Sequence, residues 1–174
     1  DEFVLDKIQF EEGKENGKGY SGRISYTPIM KGTSLLTTYV SLLTVGTPTF
    51  RHGNGMNNFV QRNKPLGWQY GSDGLELSVG ATYFNQTDLV LRIKGGKREI
   101  GEESIIDRPY HAYADYLEGP FPSGNVEKTV FLNLIVKWWW KPTVQFSGSV
   151  EWENDGFLQS FFEINIYFPS NFTL

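Results

Sequence analysis

Three stretches near the C-terminus decide the fold class: Val130-Phe131-Leu132-Asn133-Leu134-Ile135-Val136-Lys137-Trp138-Trp139-Trp140, then Gln145-Phe146-Ser147-Gly148-Ser149-Val150-Glu151-Trp152, then Phe161-Phe162-Glu163-Ile164-Asn165-Ile166-Tyr167-Phe168. A strand sends successive side chains to opposite faces, so Val130, Leu132, Leu134, Val136, Trp138 and Trp140 share one side of an extended segment. Phe146, Gly148, Val150 and Trp152 alternate with Gln145, Ser147, Ser149 and Glu151 in the same way. Phe162, Ile164, Ile166 and Phe168 repeat the pattern. Asn154-Asp155-Gly156 is hairpin chemistry between the second and third stretches. The expected result is a meander whose apolar sides form the core, with Trp138 and Trp140 pointing inward and Trp139 outward.

The same period runs back through the chain. Val4, Ile8 and Phe10 open a strand, and Tyr20, Ile24 and Tyr26 mark another that Pro28 and Gly32 interrupt. Leu35 to Val45 has the Thr, Val and Leu content of a strand. Leu75, Leu77, Val79, Ala81 and Tyr83 line one face, and Leu89, Leu91 and Ile93 line the next. Asn85-Gln86-Thr87-Asp88 between them is a turn. Lys94-Gly95-Gly96-Lys97 reads as a second hairpin tip, and Glu102 to Ile106 as a helical turn. Strands at short intervals without amphipathic helices predict an all-β, mostly antiparallel domain, an immunoglobulin-like or jelly-roll β-sandwich. With 174 residues and no repeat or linker, residues 1–174 read as a single binding domain. The opening at Asp1 reads as that of a mature or trimmed chain.

Composition narrows the function classes. The formal net charge is −4, which argues against nucleic acid as a partner. No apolar run approaches the roughly 20 residues of a bilayer-spanning helix, so no transmembrane segment is expected. The absence of Cys removes disulfides, thiolate metal sites and thiol nucleophiles. His52 and His111, the two histidines, stand in separate loops without carboxylates at ligand spacing, so neither a metal nor a cofactor is expected. Phosphate loops and serine elbows are absent.

The enzyme reading that the residues allow is glycan cleavage by two carboxylates among Glu151, Glu153 and Glu163, set by their separation. Amphipathic strands place such acids on a solvated face equally well, so no catalytic residue is assigned. Binding is the stronger reading. The segment Phe50 to Gly74 gathers Arg51, His52, Asn54, Asn57, Asn58, Trp68, Tyr70 and Asp73. Sugar recognition uses planar amides and carboxylates beside an aromatic platform, and this segment holds all three. An outward Trp139 adds a second stacking surface. Asp107, Arg108, Tyr110, His111, Tyr113, Asp115 and Tyr116 form another polar aromatic cluster. Asn85-Gln86-Thr87 and Asn171-Phe172-Thr173 match the glycosylation acceptor pattern.

The closing stretch Phe161 to Asn171 resembles the last strand of the lectin domains at the tips of chaperone–usher fimbriae. Tyr39-Val40-Ser41-Leu42 and Asn63-Lys64-Pro65-Leu66 are similar to short stretches of the mannose-binding members of that family. This chain has no Cys where those members have a disulfide, and Asp1 where they have a pocket-forming Phe. None of the family's sugar-binding residues is therefore placed on this sequence. The resemblance implies an elongated sandwich that binds host glycans at a bacterial surface.

The sequence thus leads to a non-enzymatic, lectin-like adhesin domain, extracellular or at the cell surface. Its partner is a glycan or glycoprotein receptor, and it joins a larger surface structure. The alternatives are the paired-Glu glycan-cleaving enzyme and a self-assembling subunit such as a pilin or a viral spike or fibre head.

Overall fold

The structure is a computed structural model that describes residues 2–7, 17–32, 34–51, 60–62, 64–85, 87–103 and 119–168. Among these residues it is all-β and antiparallel, without a helix. The strands are β1 (Glu2–Lys7), β2 (Gly17–Lys31), β3 (Ser34–Val45), β4 (Val60–Gln61), β5 (Lys64–Pro65), β6 (Gly74–Phe84), β7 (Leu89–Ile100), β8 (Glu127–Lys141), β9 (Val144–Glu153) and β10 (Leu158–Ile166). Two sheets result. One has eight strands in the order β1-β2-β3-β6-β7-β8-β9-β10, and β4 pairs with β5 in the other. The expected all-β, mostly antiparallel, β-sandwich-like class is what the structure shows.

Every neighbour in the large sheet is a neighbour in sequence, apart from the β4–β5 excursion. Local turn chemistry therefore accounts for most of the connections. Asn85 Oδ1 accepts from the amides of Thr87, Asp88 and Leu89, which folds the β6–β7 turn. The β9–β10 turn forms where Asn154-Asp155-Gly156 requires it: Glu153 N donates to Phe157 O at 2.9 Å, and Phe157 N to Asp155 Oδ1 at 2.8 Å.

Two expected breaks are absent. β2 continues through Pro28 to Lys31. β7 runs without interruption through Lys94-Gly95-Gly96-Lys97, so this basic stretch is strand and not a hairpin tip. Neither glycine has the positive φ that a tight hairpin turn needs, and Lys94 Nζ sits 5.2 Å from the centre of the Phe131 ring. Ile8, Phe10 and most of the expected Glu102–Ile106 turn lie outside the described residues, while Glu102 and Glu103 are not helical.

The chain divides into two compact units. One comprises Asp1–Arg23, Ser41–Leu77 and Lys97–Thr129; the other comprises Ile24–Val40, Ser78–Gly96 and Val130–Leu174. The first holds most of the buried side chains, and these are chiefly polar: Thr47, Thr49, Arg51, Ser72, Asp73, Arg98, Ser123 and Thr129 beside Val45. The second buries Ser78, Gln145 and Phe131.

In β2, β6, β7, β8 and β9 the apolar side is the more exposed one, whereas β10 is exposed on both sides and the sheltered side of β3 carries Leu35, Tyr39, Leu43 and Val45. In β6, Val79 is 55% exposed beside Ser78 at 2%. In β9, Val150 is 42% exposed while Gln145 is 5%. Ile24, Tyr26, Val40, Leu42, Leu77, Leu91, Ile93, Val130 and Leu132 are exposed as well. Trp138 and Trp140 follow them, and Trp139 is half-buried, so the expected orientation of the Trp run is reversed.

On the sheltered side the backbone comes close to side chains. A Cβ at Gly80 would lie 2.5 Å from Tyr39 Cζ and 2.7 Å from the Ile93 carbonyl, so the Tyr39 ring occupies the place of a side chain there. A Cβ at Gly95 would meet nothing nearer than 3.5 Å. Gly80→Ala should therefore cost about 1–3 kcal/mol in denaturant unfolding, whereas Gly95→Ala should stay within about 1 kcal/mol of the parent. Equal effects would contradict the close approach at Gly80.

Candidate functional site

The best-defined polar constellation centres on Asp73, fully buried just before β6 at φ +62°. Asp tolerates this left-handed conformation better than most residues. Its Oδ1 accepts from Thr47 Oγ1 at 2.8 Å and from Ser123 N at 3.0 Å. Its Oδ2 accepts from Ser123 Oγ at 2.5 Å and from Glu103 N at 3.2 Å. Its carbonyl accepts from Gly101 N at 2.7 Å, and any side chain at Gly101 would collide with the carboxylate. Thr47 follows β3, Gly101 and Glu103 follow β7, and Ser123 precedes β8. One carboxylate therefore ties together the ends of four strands.

Arg51 belongs to the same unit. Both of its terminal nitrogens donate to Glu103 Oε2 at 3.1 Å, with the Arg51 side chain fully buried. Thr49 clamps the turn after β3 onto β2: its hydroxyl donates to Lys18 O and accepts from Lys18 N, both at 2.8 Å. Trp68 and Tyr70 meet edge to face at 5.3 Å, and the Arg98 guanidinium lies 3.5 Å from the Tyr70 ring centre.

These contacts change the reading of the expected binding residues. Asp73 and Arg51 are corrected from ligand contacts to internal ties, because no part of either reaches solvent in useful amount. Trp68 and Tyr70 are half-buried anchors of the loop before Asp73. Trp139 is corrected from an outward platform to the sheltered face. His52, Asn54, Asn57 and Asn58 lie outside the described residues, as does the whole Asp107–Tyr116 cluster. The Asn85 amide, which stands in a match to the glycosylation acceptor pattern, donates to Asp88 Oδ1 at 2.6 Å.

The candidate acids are resolved by register. Glu163 pairs with Ser147, and Glu151 with Gln159. The backbones of Glu151 and Glu163 are thus offset by roughly 13 Å along the strands. Glu151 and Glu153 share the sheltered face of β9, half-buried, with Trp152 exposed between them. Among the described residues no group of three or more His, Asp or Glu converges as a metal site would require.

Thr47, Ser123 and Glu103 are not legible as partners of Asp73 from local pattern, because they are 26 to 50 residues away from it. Also unread is the exposed apolar face of the large sheet, to which β2, β3 and β6 to β10 contribute. Its signal was present: strands of about ten residues, apolar on one side and rich in Ser, Thr, Gly, Gln and Glu on the other, with aromatic residues near the ends.

At the β8–β9 end of this face, Trp138 and Phe146 stack with ring centres 5.7 Å apart, and Lys141 Nζ lies 4.8 Å from the centre of the Trp140 ring. Trp138 Nε1 donates to Asp88 Oδ2 at 3.1 Å, linking the indole to the polar β6–β7 turn. Hydrogen bonds from Asn85, Thr87 and Trp138 hold the Asp88 carboxyl below its ordinary range. No family model, curated protein or solved structure matches this chain.

Replacing Asp73 by Ala should leave the Thr47 and Ser123 hydroxyls and two amides without their acceptor. The expected loss is on the order of 3–5 kcal/mol in urea unfolding, with faster hydrogen exchange at the Ser123 and Glu103 amides. Unchanged exchange there would show that Asp73 does not organise these strand ends.

Proposed function

We propose that this chain is a membrane-embedded β protein whose antiparallel sheet forms part of the wall of an outer-membrane-type β-barrel. Its apolar face lies against lipid and its polar face lines the interior. The observation that carries this reading is the exposure of large apolar side chains along β2, β6, β7, β8 and β9, beside buried polar ones such as Ser78, Arg98 and Gln145.

In water such a surface is costly, at about 25 cal/mol per Å² of apolar area. Exposed apolar patches of more than a few hundred Å² mark interfaces. Strand register makes the surface continuous. Trp138, Phe146 and Ile164 form one cross-strand row, and Val136, Gly148 and Phe162 the next. Leu134, Val150 and Ser160 follow, then Leu132, Trp152 and Leu158. The other face of the same strands carries Asn133, Glu151 and Gln159, then Ile135, Ser149 and Phe161, then Lys137, Ser147 and Glu163, then Trp139, Gln145 and Asn165.

The dimensions support a bilayer. From Val130 to Trp140 the chain covers roughly 33 Å along β8, or about 25 Å at the tilt usual for barrel strands, which matches the apolar band of such proteins. Trp138 and Trp140 lie toward one end of the band and Trp152 toward the other, as aromatic girdles do at both interfaces. The hydrogen bond from Trp138 to the polar Asp88 turn suits a ring with one apolar and one wet end.

No helix among the described residues is long and apolar enough to cross a membrane. The expectation of a chain that does not span a membrane, drawn from composition and from the apolar run that a helix needs, is set aside in this reading, because strands cross by a different rule: each backbone group is satisfied by a neighbouring strand. β1 and β10 each have one neighbour in the large sheet, and in lipid those outer edges need partners too. The surface location expected from the sequence then becomes insertion in a surface membrane. Of the expected glycan contacts, Asp73 and Arg51 are engaged within the protein and so lend no support to a sugar site.

Reconstituted in phosphatidylcholine vesicles, the folded protein should resist extraction by high salt and urea, and lipids brominated on their acyl chains should quench its Trp fluorescence. Val150→Lys should destabilise the inserted protein by about 2–4 kcal/mol, and Ser149→Lys on the opposite face by clearly less. A folded protein that stays in buffer as a monomer would overturn the reading. A soluble oligomer of fixed size would favour the self-assembling subunit in its place.

A further inference from the structure

On the exposed face lies an open groove of about 590 Å³ that draws on β2, β3, β6, β7 and β8. All of its lining residues belong to the unit containing Ile24–Val40, Ser78–Gly96 and Val130–Leu174. Small residues form its floor: Ala81 interrupts the large side chains of β6, Gly95 does the same in β7, and Thr38 in β3. The walls include Ile24, Val40, Val79, Ile93 and Leu132, exposed residues of the apolar face. The volume falls within the range of ordinary ligand clefts, about 300–1,000 Å³.

The chemistry of the lining selects the occupant. No charged side chain contributes to it. The Thr38 hydroxyl is already engaged, donating to the Tyr26 carbonyl at 3.3 Å, and Tyr39 has partners of its own within the protein, which leaves the exposed Tyr26 hydroxyl as the other side-chain polar group of the lining. Clefts that hold polar ligands present a few convergent polar groups to orient them. This groove offers van der Waals contact and little else, so a sugar or an anion would lose its water without replacement bonds. A flexible hydrocarbon has no such cost. The groove is also continuous with the face assigned above to lipid.

We infer that this groove holds one acyl chain of a membrane lipid, in longer residence than the chains against the rest of the apolar face. The inference rests on the membrane-embedded reading and adds a defined lipid site to it. Gly95 is not required there by backbone conformation, and a Cβ at that position would make ordinary 3.5 Å contacts with Leu132 Cδ1 and Phe131 O. Openness at Gly95 and Ala81 therefore serves the groove and not the packing of the sheet.

The test uses the full chain in phosphatidylcholine vesicles doped with phosphatidylcholine that carries a diazirine on one acyl chain. After irradiation, digestion and mass spectrometry, adducts should be enriched several-fold on peptides containing Thr38–Val40, Val79–Ala81 and Ile93–Gly95, relative to those around Val150 and Trp152. Filling the groove by Ala81→Leu, or independently by Gly95→Leu, should remove that enrichment and leave the Val150 adducts unchanged. Adducts spread evenly over the apolar face, and indifferent to both substitutions, would overturn the lipid site while leaving the membrane reading intact. Folded protein without acyl-chain adducts on any apolar-face peptide would overturn both.

Discussion

A β-strand can send only every second side chain to a given face, and the ladder of backbone hydrogen bonds then fixes the same choice for its neighbours. In β8, β9 and β10 this constraint aligns Trp138 with Phe146 and Ile164, and Leu132 with Trp152 and Leu158, over nine consecutive paired positions of β10. A slip of one residue would send every one of these side chains to the opposite face. The polarity of the whole sheet is therefore a collective property. Where Ser78 and Gln145 are sheltered, Val79 and Val150 must be exposed, and no single substitution can reverse the arrangement.

A sheet whose sheltered side is polar cannot rely on hydrophobic burial for its internal cohesion. Among the described residues, the buried apolar side chains are few: Val45 and Phe131, with Pro48 and Pro122. Hydrogen bonds carry the specificity instead. Asp73 gathers the ends of β3, β6, β7 and β8, and the Arg51–Glu103 pair and the Thr49–Lys18 clamp fix the turn after β3 within the same unit. Such groups hold only when satisfied together, because each donor left unpaired in a sheltered site costs about 1–3 kcal/mol.

The candidate binding loop shows how the same residue types serve two ends. Arg, Asp, Trp and Tyr in an Asn- and Gly-rich segment are what a sugar site needs, and equally what a polar interior uses to tie loops down. Local sequence does not separate the two. The distinction depends on whether an Asp73 oxygen finds Ser123 or finds a ligand, and Ser123 lies 50 residues away. The basic stretch Lys94 to Lys97 misled for a related reason: two glycines favour a turn in isolation, but pairing within a long strand outweighs that local preference.

By itself the sequence determined the all-β class, most strand positions, the turns at Asn85–Asp88 and Asn154–Gly156, and which side chains travel together on each face. These are local properties, set by backbone geometry and period. Which face is sheltered was decided only by the tertiary structure. Alternation is symmetric: it divides side chains into two sets and does not say which set meets solvent, since the apolar set seeks protein in water and lipid in a bilayer. The choice follows from what the other strands and loops place against each face, and for this chain they placed Asp73, Arg51, Ser78 and Gln145 within and the tryptophans Trp138, Trp140 and Trp152 without.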